Sequence, residues 1–524
     1  MTELILPERL NAAQVFVDLH IAEGRADKPA LLCEGETVTY RELSEGVNRF
    51  GNAIRNLGIR MEERVAILLP DTPEFVYAFF GAMKTGAVAI PMNTLLKPKD
   101  YEYLLNDSRA RALVVHSSLL RNIESIRGDL KYLEHIIVSD AEMDGYLSLK
   151  RLMADASPEL DPADTNKDDA AFWLYSSGTT GFPKGAVHLH HDMIVAADLY
   201  ARDVLGIRES DVCFSVAKLF FAYGLGNGLY FALRVGGTNV LLPGRPAPDV
   251  CFQIINQYEP TIFYSVPTSY AALLHEAEKS GRTSLGKVRM CVSAGEPLPK
   301  PIFEAWKKRF GVEILDGIGS TEILHIFISN RPGHARPGST GQIVPGYEAK
   351  IVDDDDNEIS DGQVGTLWIK GDSIASGYWN KHEQTKQAFH GDWINTHDKF
   401  SVDDDGFFWY QGRTDDMMKV SGYAVWPTEV EAVLKEHPAV LESGVAGVPD
   451  EEGLIKPRAY VVLKDGRAPS PELAKELQDF VKRATAPYKY PRSILFVPDL
   501  PKTATGKIQR FRLREMAMEE QRSR

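Results

Sequence analysis

The sequence has little cysteine and no long hydrophobic run. Its 524 residues include four cysteines, Cys33, Cys213, Cys251 and Cys291. They lie too far apart for the paired spacing of a zinc site and are too few for a disulfide scaffold. No stretch approaches the roughly 18 apolar residues of a membrane span, and acidic residues stand where a signal peptide needs basic ones. We therefore expect a cytoplasmic protein without a membrane partner.

Positive charge is also in deficit. The net charge of −14 would repel a phosphate backbone, so nucleic acid is not expected as a partner. Any anionic substrate would have to be bound by local backbone amides and a few placed cations. Loops that carry such groups are therefore the first places to look for function.

The order of apolar segments predicts an α/β fold. Between about residues 64 and 320, short apolar runs alternate with helix-length amphipathic segments, which is typical of doubly wound, mostly parallel sheets. Closely spaced strands with Gly and Asp turns after about residue 338 predict a small antiparallel β subdomain. Beyond a polar segment at 412–423, the order helix, strand, strand, helix, strand predicts a small α+β domain. We place the domains at 1–414 and 415–524.

The segment Tyr175–Gly185, YSSGTTGFPKG, is the sharpest local motif. It follows a buried-type strand, its hydroxyls and glycine amides are hydrogen-bond donors, and Lys184 adds a cation. A flexible surface turn is the alternative, and the spacing is not that of a Walker loop. We interpret the segment as a phosphate cradle whose donors are Ser176, Ser177, Gly178, Thr179, Thr180 and Gly181.

A second motif, GIGSTE, spans Gly317–Glu322 after the strand-like EILD. Thr321 and Glu322 can offer oxygens to the Mg²⁺ that a nucleotide substrate needs. A helix N-cap explains Ser320 or Thr321 equally well.

Three charged residues farther along the chain fit the same chemistry. Asp398 and Arg413 could meet a ribose and its phosphate, although each alone would be an ordinary surface ion. Lys507 follows Gly506 in a stretch that we expect to be exposed and mobile, where a lone lysine is usually solvated.

Taken in order, these motifs resemble the core motifs of the acyl-adenylate-forming superfamily of acyl-CoA synthetases, peptide-synthetase adenylation domains and luciferases. The resemblance covers nearly the whole chain and implies ATP as a substrate with Mg²⁺ on Glu322. It also implies an adenine segment at Ser293–Pro299, SAGEPLP. Outside the phosphate cradle, the nucleotide-binding residues so implied are Ala294, Gly295, Glu296, Pro297, Asp316, Gly317, Ile318, Ser320, Asp398 and Arg413.

The resemblance also implies a mechanism with a mobile C-terminal domain. Lys507 matches the lysine that bridges the substrate carboxylate and the α-phosphate, and it acts with Glu322, Thr321 and Lys184. Asp415 matches the domain hinge. Lys419 and Gly422 fall along the tunnel for coenzyme A.

Within the superfamily, Lys218–Leu229 (KLFFAYGLGNGL), STEILHIF and APYKYPR resemble benzoate–CoA ligases and 4-hydroxybenzoate–CoA ligases. This implies a small aryl pocket lined by Phe221, Ala222, Tyr223, Gly224, Gly319, His325 and Ile326. Phe220 is better explained as core, and His325 equally well as a structural histidine or as a wall that senses ring substituents. His188, His190 and His191 have no evident cysteine or carboxylate partner, so we interpret them as a strand-to-helix exit.

The sequence departs from the family pattern in places. Ile318 stands where an aromatic residue is usual and His397 where glycine is usual, and benzoate-type ligases usually have smaller or different residues around Trp426 and Thr428. We predict an AMP-forming ligase that converts benzoate, ATP and CoA to benzoyl-CoA, AMP and diphosphate. The alternatives are a ligase for 4-hydroxybenzoate or another small carboxylate, a stand-alone adenylation domain that charges a carrier protein, and a non-catalytic nucleotide-binding module. The family further implies a lysine acetyltransferase and deacetylase acting on Lys507, and the chain would be a monomer or homodimer.

Overall fold

The computed structural model describes most of the chain: residues 4–176, 183–353, 355–359, 362–413, 416, 418–420, 423–449, 455–485, 489–502 and 508–523. In chain order, its strands are β1 (Pro29–Cys33), β2 (Glu36–Thr39), β3 (Arg64–Leu68), β4 (Val88–Pro91), β5 (Ala112–Val115), β6 (His135–Val138), β7 (Leu147–Ser148), β8 (Ala170–Ser176), β9 (Lys184–Leu189), β10 (Val212–Ser215), β11 (Thr238–Leu241), β12 (Ile262–Ser265), β13 (Met290–Ser293), β14 (Ile314–Gly319), β15 (Ile326–Ser329), β16 (Gln342–Ile343), β17 (Glu348–Val352), β18 (Gly365–Lys370), β19 (Phe389–His390), β20 (Trp393–Val402), β21 (Phe408–Arg413), β22 (Met418–Val420), β23 (Tyr423–Val425), β24 (Val440–Pro449), β25 (Ile455–Leu463) and β26 (Ser493–Phe496).

Its α-helices are α1 (Leu19–Ala22), α2 (Tyr40–Asn56), α3 (Pro73–Lys84), α4 (Pro98–Ser108), α5 (Ser117–Glu124), α6 (Leu149–Ala154), α7 (Asp192–Ala196), α8 (Ala222–Leu225), α9 (Phe231–Arg234), α10 (Pro248–Tyr258), α11 (Pro267–Ser280), α12 (Lys300–Phe310), α13 (His382–Ala388), α14 (Pro427–Glu436), α15 (Pro471–Ala484) and α16 (Arg510–Ser523). Several of them have proline in the first turn, where its fixed φ suits the helix and its missing N–H costs nothing. A π-helical stretch, Gly226–Tyr230, joins α8 to α9.

The first of two large sheets has seven strands in the order β7-β6-β5-β3-β4-β8-β9, and every pair except β8–β9 is parallel. Strands β3 and β5 are nearly continuous apolar runs, as expected where both faces of a parallel sheet are covered. Because β4 and β5 lie on opposite sides of β3, the strand order reverses there. Ligands of such sheets bind at the carboxyl ends of the strands beside a reversal.

The second large sheet has nine strands in the order β16-β15-β14-β13-β12-β10-β11-β1-β2. Its central pairs from β1 to β14 are parallel, and β2, β15 and β16 are antiparallel additions. The order reverses at β10, which lies between β11 and β12. The predicted doubly wound, mostly parallel sheets are thus confirmed.

The predicted antiparallel subdomain and C-terminal α+β fold are also present. A five-stranded sheet has the order β17-β18-β20-β19, with β21 antiparallel to β20. After the hairpin β22–β23, which the sequence did not indicate, come α14, β24, β25, α15 and β26, in the predicted order. The three strands form one sheet that packs on the apolar faces of the helices.

The chain divides into two compact units, Met1–Glu348 with Ile369–Ile394, and Ala349–Trp368 with Asn395–Arg524. The functional boundary at residue 415 stays a prediction. All four cysteines are buried and free. No helix in the described part of the chain is long and apolar enough to cross a membrane.

Arg510 at the start of α16 generates a stability prediction for the second unit. Its guanidinium contacts Asp416 at 2.8 Å and both oxygens of Glu431, at 2.7 and 3.2 Å. Arg510→Met should lower the free energy of unfolding of this unit by about 3 kcal/mol, because the buried Glu431 carboxylate loses its cation. Urea unfolding measures the change. Arg512→Met, on an exposed arginine that contacts Glu515, is the control and should cost less than about 0.5 kcal/mol; equal costs would contradict the prediction.

Candidate active site

The carboxyl ends of three neighbouring strands bring the predicted segments together. Ser265 of β12 pairs with Ser293 of β13, and Ser293 pairs in turn with Asp316 of β14. The adenine segment and the GIGSTE motif therefore begin side by side, next to the strand reversal at β10. This is the location that the doubly wound fold predicts for a ligand.

Glu322 lies in the turn between the antiparallel strands β14 and β15, where its carboxylate is held by two hydroxyls. Ser176 Oγ donates to Oε1 at 3.1 Å and Tyr378 Oη donates to the same oxygen at 2.8 Å. The backbone N–H of Ala375 donates to the Glu322 carbonyl at 2.8 Å. Within the described residues, nothing donates to Oε2. The two hydroxyls thus fix the carboxylate in place, and carboxylate oxygens are ligands that Mg²⁺ prefers.

The alternative that Ser320 or Thr321 caps a helix is wrong. Residues 320–325 form a tight turn between two strands, and no helix begins there. Ser320 Oγ accepts from the Ile323 N–H at 3.2 Å, and Leu324 adopts φ of 73°. The hydroxyl therefore stabilises a turn that presents Glu322.

The two flanks of the predicted phosphate cradle are anchored to α4. Tyr175 Oη donates to Asp107 at 2.8 Å, and Tyr103 Oη donates to the Pro183 carbonyl at 3.0 Å. Burial raises the pKa of Tyr175 above its usual value, so the hydroxyl stays a donor. Predicted residues Ser177, Gly178, Thr179, Thr180 and Gly181 lie outside the described residues.

Lys184 begins β9 directly opposite Ser176 of β8. Its Nζ lies 4.3 Å from the centroid of the Tyr378 ring, a cation–π contact. The two described residues at the ends of the cradle, Ser176 and Lys184, are therefore both in contact with the surroundings of Glu322.

The adenine segment follows β13 as a bend. Gly295 adopts φ of 91°, in the left-handed region that favours glycine, and Ala294 is buried. Glu296 accepts from Thr268 Oγ1 at 3.0 Å, and Pro297 follows the bend. The Leu298 N–H donates to Asp316 at 3.4 Å, which ties the segment to the end of β14.

Asp316 has a buried carboxyl group, and hydrogen bonds offset only part of the cost of its burial. Burial raises its pKa from 3.8 to about 8, and Oδ1 has no hydrogen-bond partner in the described part of the chain. Its neighbours in the sequence, Gly317 and Ile318, belong to β14. A side chain at Gly317 would meet the Ile328 carbonyl at 2.9 Å, so close strand pairing explains this glycine.

The predicted aryl segment follows β10 and lies next to the ends of β12 and β13. Phe221 precedes α8, in which Ala222 and Tyr223 are the first residues, and Phe220 is buried as expected for core. Tyr223 Oη lies 3.1 Å from the Ser265 carbonyl and 3.2 Å from that of Val292. The ring is thus fixed at the strand ends.

His325 is a neutral, buried side chain surrounded by aromatic rings. Burial lowers its pKa to about 3, and Nε2 lies 3.2 Å from the Tyr223 carbonyl, so Nε2 carries the proton. The ring centroids of Phe231 and Tyr200 lie 4.4 and 5.7 Å away. Nδ1 has no partner among the described residues. The hydrogen-bonded Nε2 fits a structural histidine. The acceptor Nδ1 fits a pocket wall that senses ring substituents, so both interpretations of His325 stay open.

Two predicted pocket glycines have a backbone explanation. A Cβ on Gly224 would lie 2.1 Å from the Lys218 carbonyl, and one on Gly319 would lie 2.6 Å from the His325 carbonyl. Ile326, on β15, is buried. Any larger residue at either glycine would displace the aryl segment or the turn.

The interpretation of the histidines as a strand-to-helix exit is confirmed, because His188 lies in β9 and His191 directly precedes α7. The expectation that they have no carboxylate partner is wrong. His188 Nδ1 lies 2.8 Å from Asp192, and its Nε2 lies 2.8 Å from the Thr321 carbonyl. His191 lies 3.2 Å from Asp168. His188 therefore links β9 to the turn that carries Glu322, a role that sequence neighbours could not indicate.

Sequence reasoning also missed Asp71. Its Oδ1 accepts from the Leu219 N–H at 3.1 Å, and its Oδ2 lies 3.6 Å from Lys218 Nζ. Burial raises the pKa of Asp71 to about 6, although Lys218 opposes the shift. The carboxylate fixes the start of the aryl segment. An aspartate three residues after the end of a buried parallel strand is the signal that could have found it.

In the second unit, Asp398 of β20 stands directly opposite Arg413 of β21. His397 adopts φ of 56°, which gives a physical reason for the glycine that is usual there. Lys419 lies in β22 opposite Ala424. Asp415, Gly422 and Lys507 fall outside the described residues.

Comparisons with known proteins agree with this geometry. The family AMP-binding enzyme matches residues 19–379, and AMP-binding enzyme C-terminal domain matches residues 429–507. A benzoate–CoA ligase of Thauera aromatica is 50% identical over 97% of this chain and 96% of its own length. A 4-hydroxybenzoate–CoA/benzoate–CoA ligase of Rhodopseudomonas palustris is 43% identical over 97% and 94%. The crystal structure of a benzoate CoA ligase from Burkholderia xenovorans LB400 superposes with a TM-score of 0.89 and 47% identity, over 96% of this chain and all of that one.

The raised pKa of Asp316 predicts a pH-dependent stability. Between about pH 4 and pH 8 the folded protein binds this proton more tightly than the unfolded chain, so the contribution of Asp316 to the free energy of unfolding falls as pH rises through that window. Asp316→Asn cannot titrate. Urea unfolding at several pH values measures the difference in free energy of unfolding between the variant and the wild type. This difference should shift in favour of the variant by up to roughly 1.4 kcal/mol per pH unit between pH 5 and pH 8. If the free energies of unfolding of the two proteins change in parallel with pH, the pKa of Asp316 is not raised.

Proposed function

This chain belongs to the family of AMP-binding enzymes, and from that membership we propose that it is an AMP-forming benzoate–CoA ligase. It converts benzoate, ATP and CoA to benzoyl-CoA, AMP and diphosphate through an enzyme-bound benzoyl-adenylate. The observation that carries the proposal is the 50% sequence identity with a benzoate–CoA ligase over 97% of this chain. The Glu322 carboxylate, which Ser176 at the edge of the predicted phosphate cradle holds in place, supports it.

In the first half-reaction, a carboxylate oxygen of benzoate bonds to the α-phosphorus of ATP while the bond from that phosphorus to diphosphate breaks. Both reactants are anions, so a cation between them lowers the barrier. Lys507 is that cation in our proposal. Lys184 and the cradle residues 176–181 bind the phosphates that leave.

Glu322 and Thr321 would hold Mg²⁺ with the nucleotide. The fixed carboxylate supports this assignment, because a hard cation requires oxygen ligands and little rearrangement. The ion would neutralise part of the negative charge of the phosphates. His188 holds the Thr321 carbonyl and thereby the turn.

We assign the remaining nucleotide contacts to residues that the family resemblance implies. Residues 294–297 and 316–320 take adenine and the α-phosphate in this proposal. Asp398 binds the ribose hydroxyls and Arg413 binds the phosphate attached to that ribose. The position of the two residues directly opposite each other on β20 and β21 supports this assignment. Ile318 offers less stacking area to adenine than an aromatic residue would.

The aryl pocket decides which acid is used. Phe221, Tyr223 and His325 supply apolar walls for a flat ring, whose burial is the main specificity energy available. A 4-hydroxybenzoate ligase is the second candidate, because His325 Nδ1 is an acceptor with no partner in the described part of the chain and a phenol could donate to it.

In the second half-reaction, the CoA sulfur bonds to the acyl carbon, AMP leaves with the electrons of the broken C–O bond, and the thiol proton goes to solvent. We place Lys419 and Gly422 along the CoA path and a rotation at Asp415, which would withdraw Lys507. Free CoA is the acceptor rather than a carrier protein. Acetylation of Lys507, a cytoplasmic location and the monomeric or homodimeric state stay predictions.

Lys507→Ala and Asp415→Pro should separate the two half-reactions. Lys507→Ala should lower benzoate-dependent diphosphate release by about a thousandfold, as expected for the loss of a charge that acts in the transition state, and should leave thioester formation from supplied benzoyl-adenylate largely intact. Asp415→Pro should do the reverse, because a fixed φ stiffens the hinge. Both steps are measured in each variant. Equal loss of both steps in Lys507→Ala would remove its assigned role.

A substrate panel tests the aryl pocket. AMP release should be greatest with benzoate among 4-hydroxybenzoate, cyclohexanecarboxylate and short alkyl acids. His325→Ala should raise the ratio of kcat/KM for 4-hydroxybenzoate to that for benzoate by about tenfold, because removing the imidazole makes room for a substituent. An unchanged ratio would place His325 outside the pocket, and wild-type preference for 4-hydroxybenzoate would favour the second candidate.

A further inference from the structure

Tyr378 contacts both charged residues of the proposed phosphate and metal site. Its hydroxyl donates to Glu322 Oε1 at 2.8 Å, and the centroid of its ring lies 4.3 Å from Lys184 Nζ. Among the described residues, no ion pair joins Lys184 to Glu322 directly. The tyrosine therefore meets each charge with a different part of one side chain.

We propose that Tyr378 is a positioning residue for adenylation, which sets the places of the metal-binding carboxylate and the phosphate-binding ammonium together. The proposal rests on the roles that the proposed function gives to Glu322 and Lys184. It adds a residue to that site and a reason why the two opposite charges stay separately available to the nucleotide.

The backbone around Tyr378 is fixed firmly enough for this role. Residues 376–379 run beside β9, where the Ser376 N–H donates to the Val187 carbonyl at 2.9 Å and the Trp379 N–H donates to the Gly185 carbonyl at 2.8 Å. Tyr378 N–H also donates to Thr385 Oγ1 at 3.0 Å. The segment is thus joined to β9, whose first residue is Lys184, by an isolated antiparallel bridge between Ala186 and Tyr378.

The ring has little freedom of its own. Tyr378 is buried, and the Phe389 ring packs edge-on against it with 5.3 Å between centroids. A buried aromatic ring in such a contact holds one orientation. Its hydroxyl therefore stays on Glu322 while its face stays under Lys184.

The chemistry explains why a tyrosine suits this position. An ammonium and a carboxylate this close to a common side chain would otherwise attract each other into an ion pair, which would occupy both groups. The phenol hydroxyl donates to the carboxylate, and the π face attracts the ammonium without taking its hydrogen-bond donors. Because Ser176 also donates to Oε1, a cation can approach Oε2.

Two variants separate the two contacts. Tyr378→Phe keeps the ring and loses the hydroxyl, whereas Tyr378→Leu loses both. We expect the KM for MgATP in benzoate-dependent ATP–diphosphate exchange to rise about tenfold in Tyr378→Phe, since a hydrogen bond to a charged group is lost. It should rise about threefold further in Tyr378→Leu, which also loses the cation–π contact.

Thioester formation from supplied benzoyl-adenylate and CoA is the readout that a merely structural defect would also move. It should be unchanged in both variants. The control is Tyr40→Phe, which removes a buried hydroxyl that donates to the Gly237 carbonyl at 2.7 Å, and its KM for MgATP should equal that of the wild type. Parallel loss of both half-reactions in Tyr378→Phe would overturn the proposal.

Double variants test whether Tyr378 acts through its two neighbours. In a Glu322→Gln background, Tyr378→Phe should cause no further rise in the KM for MgATP. In a Lys184→Met background, Tyr378→Leu should raise this KM no more than Tyr378→Phe does. Fully additive losses would overturn the proposal. If Glu322→Gln is impaired while Tyr378→Phe keeps the wild-type KM, only this inference fails; if Glu322→Gln adenylates normally, the proposed role of Glu322 fails and the inference with it.

Discussion

The hydrogen bonds on the Glu322 carboxylate hold the site together. Ser176 ends a strand of the seven-stranded sheet, Glu322 follows a strand of the nine-stranded sheet, and Tyr378 lies beside β9. Hydrogen bonds to a charged group contribute about 1.5–3 kcal/mol each. Each sheet therefore stabilises the position of the other at this point.

A second link of the same kind lies at the aryl segment. Asp71 follows β3 at the reversal of the seven-stranded sheet, and Leu219 follows β10 at the reversal of the nine-stranded sheet. The two places where doubly wound sheets bind ligands thus meet each other through one carboxylate. In the proposed function, this contact would bring the nucleotide and acid sites next to each other.

Electrostatics divides the site into two environments. Around Glu322, Lys184 and Ser176 the groups are polar and charged, which suits phosphates and a metal ion. Around Tyr223 and His325 burial keeps side chains neutral, as the lowered pKa of His325 shows. A benzoate molecule has the same division, since its carboxylate is charged and its ring is apolar. This match supports the proposed substrate on physical grounds.

The sequence by itself determined the features that depend on neighbours along the chain. Apolar runs such as RVAIL and ALVV predicted the parallel strands. The composition of Tyr175–Gly185 predicts a phosphate cradle, and the described flanks of that segment are hydrogen-bonded to α4. The tertiary structure alone decided which residues meet. Ser176 and Glu322 are 146 residues apart, and the roles of Tyr378 and His188 leave no local pattern. The cap at Ser320 failed as an alternative because a turn between strands and a helix start use the same hydroxyl contact, and only the path of the following chain distinguishes them.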